Sequence, residues 1–176
     1  MVDYSTLSIV LTGIGLIVAI SYYSLQIRNQ NITRRAQLFM QIYQQMNSEE
    51  SNRTWAETMN LECNNYDEFL RKYDSSVNPD SYGKRSHVWF NYNAIGVLLQ
   101  EGLIDPDIVF QLTGPLAVMQ WQKWSGVIEE FRKQENIPDA LSGFEYLYTE
   151  MKKILEEKEH PEPAYGQAFK HYPELT

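Results

Sequence analysis

Glu157 and His160 stand three residues apart, a spacing that puts a carboxylate and an imidazole on one face of a helix. Such a pair is half of a carboxylate-bridged di-iron site, which needs a second pair and two further glutamates from facing helices. Here the pair reads as a solvated helix end. His87, His160 and His171 are scattered and show no zinc spacing. Cys63 is the lone cysteine, which excludes an internal disulfide framework and a Cys-rich zinc site and agrees with a reducing compartment. Gly13-x-Gly15 lies inside an apolar run and not in a phosphate-binding loop. Trp89, Phe90 and Tyr92, with Trp121 and Trp124 later, have the ring surface to line a ligand groove. Trp and Tyr usually bury their bodies and wet only their polar tips, so this group reads as core and rim. Within it Trp124 is assigned to the core and Trp121 is the candidate partner anchor. The expectation is a protein with no catalytic residue, no cofactor and no metal, hence not an enzyme.

What organises the chain is its opening stretch. From Tyr4 to Ile27 there is no charged residue, and from Leu7 to Ile20 almost every side chain is apolar. Crossing a hydrocarbon core of roughly 30 Å takes about 20 apolar residues at 1.5 Å rise, which this run supplies. A signal peptide fits poorly, because the chain begins with Asp3 instead of positive charge and leaves the run through Ser21, Tyr22, Tyr23, Ser24 and Leu25 without a small-x-small cleavage site. Tyr4 on one side and Tyr22 and Tyr23 on the other are separated by about 27 Å of helix, as rings at two membrane interfaces would be. Asp3 is the only charge before the run, while Arg28, Arg34 and Arg35 follow it with no acidic residue before Glu49. The positive-inside rule therefore places the N-terminus outside the cell membrane and the rest in the cytoplasm, with the arginines at the lipid headgroups. On that side Asn31-Ile-Thr33 and Asn52-Arg-Thr54 are chance glycosylation matches.

Within the run, Ser5, Ser8, Thr12, Gly15 and Ala19 recur at steps of three and four, aligning small residues along one stripe suited to helix–helix association. Beyond it, Leu25, Asn29, Ile32, Ala36, Phe39, Tyr43 and Met46 repeat at four and three, a seam that either zips against sister chains or is buried in the chain's own body. Residues 1–27 are read as a transmembrane anchor and 28–47 as a juxtamembrane helix. Residues 48–158 are read as a cytoplasmic helical domain and 159–176 as an irregular tail.

The helical domain announces itself by its caps. Ser48 precedes Glu49 and Glu50 and opens a helix carrying Trp55 and Met59 inward. Asn65 with Glu68 forms a capping box before Phe69, Leu70 and Tyr73. Asp74–Gly83 reads as a loop, and the chain is helical from about Tyr82 through Val88, Tyr92, Ile95 and Leu99 to a C-cap at Gly102. Asp105-Pro106 starts a helix that Gly114-Pro115 should break, and Ile137-Pro138-Asp139 precedes a final helix bearing Leu141, Phe144, Leu147, Met151, Ile154 and Leu155. No stretch shows sustained alternation of β-branched residues, so the fold class is all-α: one N-terminal transmembrane helix continuing into a cytoplasmic multi-helix bundle.

Charge limits the partners. The total is −8, and residues 1–47 hold three Arg against one Asp, so residues 48–176 carry −10. A body this acidic is a poor nucleic-acid binder and is repelled by an anionic leaflet. The partners expected are membrane lipid and either another protein or further copies of this chain.

The layout resembles an uncharacterised family of bacterial and archaeal proteins known as a domain of unknown function. Its members carry one N-terminal membrane helix, then an Arg- and Gln-rich helix like Leu25-Gln26-Ile27-Arg28-Asn29-Gln30, then an aliphatic, Met-rich run like Leu38-Phe39-Met40-Gln41-Ile42-Tyr43. The stretch from Asn91-Tyr92 through Glu101-Gly102-Leu103-Ile104-Asp105 to Trp124, and Phe144-Glu145-Tyr146-Leu147, are also similar. The resemblance covers nearly the whole chain, rests on hydrophobic and turn positions, and implies no catalytic residue. In outline the chain is also similar to membrane accessory proteins of RNA-targeting CRISPR systems, which form pores and carry a degenerate HEPN-like helical domain. HEPN nucleases use Arg-x4-6-His, whereas here Arg85 and His87 are too close and Lys153 stands seven residues before His160. The function expected is a non-enzymatic adaptor, scaffold or accessory subunit acting through helix association, with an oligomeric membrane pore or effector as the alternative.

Overall fold

The computed structural model describes residues 3–161, and among them every regular element is a helix. In chain order these are α1 (Tyr4–Met46), α2 (Glu49–Asn60), α3 (Tyr66–Tyr73), α4 (Pro79–Gln100), α5 (Pro106–Gln134) and α6 (Ser142–Glu157). The all-α class is as expected. Residues 162–176, most of the expected tail and including His171, lie outside the described residues.

The chain divides into two compact units, Met1–Met40 and Gln41–Thr176. The first consists of the body of α1, long and apolar enough to cross a membrane. Asp3 starts it: its carboxylate accepts the Ser5 N–H at 3.2 Å and the Ser5 hydroxyl at 2.6 Å. Negative charge at that end complements the exposed N–H groups of a helix's first turn.

In the second unit, α4 and α5 pack on α6, α2 packs on α4, and α3 sits against α4 and α5. The caps act largely as their residues dictate. Ser48 Oγ accepts from Ser51 N, and Asp105 accepts from Asp107 N and Ile108 N ahead of Pro106. Asn65 Oδ1 accepts from Glu68 N, but the returning Glu68 carboxylate takes the N–H of Asn64, one residue before the cap. Gly102, at φ 62, closes α4: its N–H reaches Leu99 O and that of Leu103 reaches Leu98 O. Asn136 and Glu159 take the same left-handed role after α5 and α6.

Three local expectations are corrected. The loop expected over Asp74–Gly83 is shorter, because Asn78 accepts from Ser81 N and Pro79 takes the first helical position. Leu141 does not belong to the last helix but precedes it at φ 57. α6 has no local side-chain cap there, and Asn93 of α4 supplies one from a distance, its Oδ1 accepting the Phe144 N–H at 3.2 Å. The break expected at Gly114-Pro115 does not occur, and α5 runs through Pro115. Proline removes one N–H and crowds the preceding turn, a cost of about 3 kcal/mol. The turns on both sides bury Val109, Phe110, Ala117 and Val118, which outweighs it. Gly114 instead serves close packing, since a Cβ there would lie 3.0 Å from Met151 Sδ and from a ring carbon of Phe110.

The core is aromatic. Trp124, 1% exposed, meets the rings of Phe69 at 6.0 Å and Trp89 at 5.7 Å. Tyr92 stacks on Phe144 at 5.2 Å. The buried Arg85 guanidinium stacks over Phe69 at 4.6 Å and donates to Tyr73 O, tying α3 to α4.

Candidate functional site

On α1, Tyr4, Tyr22 and Tyr23 are exposed, as are Ser5, Ser8, Thr12, Gly15, Arg28, Arg34 and Arg35, while Ala19 is half-covered. The small-residue stripe therefore lies open, with no atom within 4 Å of a Cβ built on Gly15. Its hydroxyls are less free than their spacing suggests. Ser5 donates to Asp3, and Thr12 donates to Ser8 O at 2.8 Å. Ser21 and Ser24 likewise donate to Ile17 O and Ile20 O at 2.8 Å. Ser5 satisfies its proton on the residue that caps the helix, and Thr12, Ser21 and Ser24 satisfy theirs on carbonyls of the preceding turn. Of the seam that follows, Leu25, Asn29, Ile32 and Ala36 are exposed, while Tyr43 and Met46 are half-buried in the second unit.

The second unit holds a cleft of about 230 Å³ between the last turn of α1, α2, α4 and α5. Tyr43, Met46, Trp55 and Leu116 are part of its apolar wall, and Ser51, His87, Asn91 and Thr113, with Asn47 and Asn52, are among its polar groups; no Lys, Arg, Asp or Glu lines it. α2 and α4 pack together, which brings Ser51 Oγ to 3.0 Å from His87 Nε2. Ser51 Oγ also lies 2.8 Å from Gln45 O, and while its one proton is given to that carbonyl it accepts from the imidazole. Asn91 Nδ2 lies 3.1 Å from the same Nε2. With a proton, Nε2 serves Ser51; without one, it serves Asn91; it cannot serve both. Gln45 O competes with the ring for the Ser51 proton, which works against activating this hydroxyl as a nucleophile. Deeper, Tyr92 hydroxyl accepts from Trp55 Nε1 at 3.1 Å and is also bonded to Thr113, and burial raises its pKa to about 12.

Trp121, expected to anchor a partner, is 5% exposed. Its ring packs on Phe144 at 5.0 Å and on Tyr148 at 6.0 Å, where α5 meets α6. It is a core residue like Trp124, and the expectation is corrected: α5 is covered on more than one face, Trp121 by α6 and Trp124 by Phe69 of α3 and Trp89 of α4. Phe90, grouped in sequence with Trp89 and Tyr92, points outward at 60% exposed. The residues of the cleft are not evident from the sequence. His87 and Asn91 share a helical face at four-residue spacing, which was the available signal, but Ser51 is distant in sequence and joins them only through packing of α2 on α4.

Residues 9–151 match the family described as a domain of unknown function, DUF4760. The match spans well over half of the chain, and the chain belongs to that family, in keeping with the resemblance seen in its layout. No curated protein and no solved structure matches it.

Proposed function

We propose that this member of the DUF4760 family is a single-pass protein of the cell membrane, N-terminus outside, whose acidic helical domain works in the cytoplasm as an adaptor, scaffold or accessory subunit, through association and not catalysis. The observation that supports this best is the exposure of α1. Its most apolar window is not buried by the protein at all, unlike a core helix of equal hydropathy. Soluble monomers rarely expose contiguous apolar patches beyond a few hundred Å², and a bilayer would cover this one. The hydroxyls bonded within the helix suit a solvent that offers them no partner. Tyr4, Tyr22 and Tyr23 then occupy the two interfaces, and Arg28, Arg34 and Arg35 meet the cytoplasmic headgroups.

An oligomeric pore is the second reading. It would line its lumen with Ser5, Ser8 and Thr12, yet the Ser5 proton is engaged by Asp3 ahead of the helix and the Thr12 proton by Ser8 O within it, which favours anchoring over conduction. The test uses the full chain with Cys63→Ser and a new cysteine at Asp3 or Thr176. The protein should resist alkaline carbonate extraction, and an impermeant thiol reagent on intact cells should label the Asp3 variant and spare the Thr176 variant. Extraction by carbonate would overturn the anchor, and the reverse labelling would overturn the orientation.

A further inference from the structure

We propose that the cleft between α1, α2, α4 and α5 binds an uncharged aromatic group of one or two fused rings that carries a hydrogen-bonding edge. The inference does not depend on the membrane reading, because every lining residue belongs to the second unit.

Size comes first. At about 230 Å³ the cleft is smaller than the 300–1,000 Å³ typical of drug-sized ligands, which matches a ring system and is too small to enclose a whole nucleotide or a lipid chain. Charge comes next. No Lys, Arg, Asp or Glu stands in the lining, and the imidazole of His87 is engaged with Ser51 or Asn91, so an ionised guest would lose its hydration without gaining a charged partner of its own. The wall of Tyr43, Met46, Trp55 and Leu116 suits the face of a ring, through aromatic and sulfur contacts.

The polar side carries the specificity. Ser51 and Asn91 compete for one nitrogen of His87, so in either tautomer one of them faces a mismatched group. When Nε2 donates to Ser51, the Asn91 amide is left to pair elsewhere; when Nε2 accepts from Asn91, the Ser51 oxygen is left. A guest edge with a donor beside an acceptor relieves the mismatch, as the edge of an adenine does, and as an indole N–H does in part. Further along α5, Thr113 and Leu116 line the cleft, and Gln120 follows Leu116 at a four-residue step without itself lining it. Gln120 is wholly buried, and neither Oε1 nor Nε2 has a hydrogen-bond partner among the described residues.

The test measures uptake of adenine, indole and indole-3-acetate by the full chain in detergent, by equilibrium dialysis. Leu116→Trp, at the exposed edge of the cleft, serves as the filled variant, and Ala56→Phe fills it from the α2 side should the first fail to fold. Both are compared in the same detergent, so that partition into micelles cancels. Adenine and indole should bind the wild-type protein with dissociation constants on the order of 0.1 to 1 mM, as expected for roughly ten non-hydrogen atoms. Indole-3-acetate should bind at least about 10-fold more weakly, because its carboxylate finds no Lys or Arg in the lining and the Nε2 of His87 is already engaged by Ser51 or Asn91. The filled variants should lose the uptake, and Asn91→Ala should weaken adenine more than indole. N-acetyltryptophanamide, run beside free indole, separates the sources: equal or tighter binding assigns the ring to a side chain presented by a partner protein, and exclusion assigns it to a free small molecule. Uptake equal in wild-type and filled proteins, or indole-3-acetate binding as well as indole, would overturn the proposal.

Discussion

Gly96 and Gly143 meet backbone to backbone where α4 crosses α6: a Cβ built on Gly96 would lie 1.7 Å from the carbonyl oxygen of Gly143. The reverse also holds, since a Cβ on Gly143 would lie 2.5 Å from Asn93 O. The same approach lets Asn93 reach the Phe144 N–H and stacks Tyr92 on Phe144. Two glycines therefore determine how closely α4 and α6 pack, and through Tyr92 they support the inner end of the cleft.

Gly96→Ala should destabilise the protein by about 2 kcal/mol or more, because the obstacle is backbone and overpacking outweighs the roughly 1 kcal/mol of helix propensity gained. Gly83, on the same helix with nothing within 4 Å of its Cβ position, is the control. Gly83→Ala should raise stability by about 0.5 to 1 kcal/mol. Chemical denaturation of both variants checks the pair, and a neutral Gly96→Ala would refute the close crossing.

Trp121→Ala and Trp124→Ala should each cost about 3 to 5 kcal/mol, as deletions of buried indoles do. Phe90→Ala, on an exposed ring, should change stability by no more than about 0.5 kcal/mol. Thermal melts in one detergent suffice. A Trp121→Ala protein as stable as the wild type would return that residue to the surface.

Glu68 should contribute to acid sensitivity. Its hydrogen bonds to Lys72 and to the Asn64 N–H hold its pKa down to about 2 from an ordinary 4.5. A carboxylate whose folded pKa is depressed stabilises the fold above the unfolded pKa and loses that contribution as pH falls through the folded one. Stability measured between pH 4.5 and 2 should therefore fall more steeply in the wild type than in Glu68→Gln. Identical slopes would show that α3 does not rely on this carboxylate.

Association through α1 should depend on its small residues. Gly15→Leu with Ala19→Leu places two large side chains on the open stripe and should reduce any oligomer seen by light scattering of the solubilised protein. Ile14→Leu with Val18→Leu, off the stripe, should leave the particle mass unchanged. A monomer in every case would rule out both homo-oligomeric scaffolding and a pore, leaving a different protein as the partner.

What the sequence determined by itself is what depends on near neighbours. The apolar run of α1, the caps at Ser48, Asn65, Asp105 and Gly102, and the absence of strand patterning are written in residues within a turn of one another, and the helices follow them. Tertiary structure decided which apolar side chains are covered and which polar ones meet. Trp121 and Phe90 are both aromatic residues on helices, yet one faces α6 and the other water. Pro115 stays inside α5 because packing on both sides outweighs a local penalty. Ser51, His87 and Asn91 form one polar cluster only because α2 lies on α4. The reason is physical: a cap or a periodicity is settled by the chain's own rise and twist, whereas a contact between distant segments is settled by the sum of all packing energies, which no single segment contains.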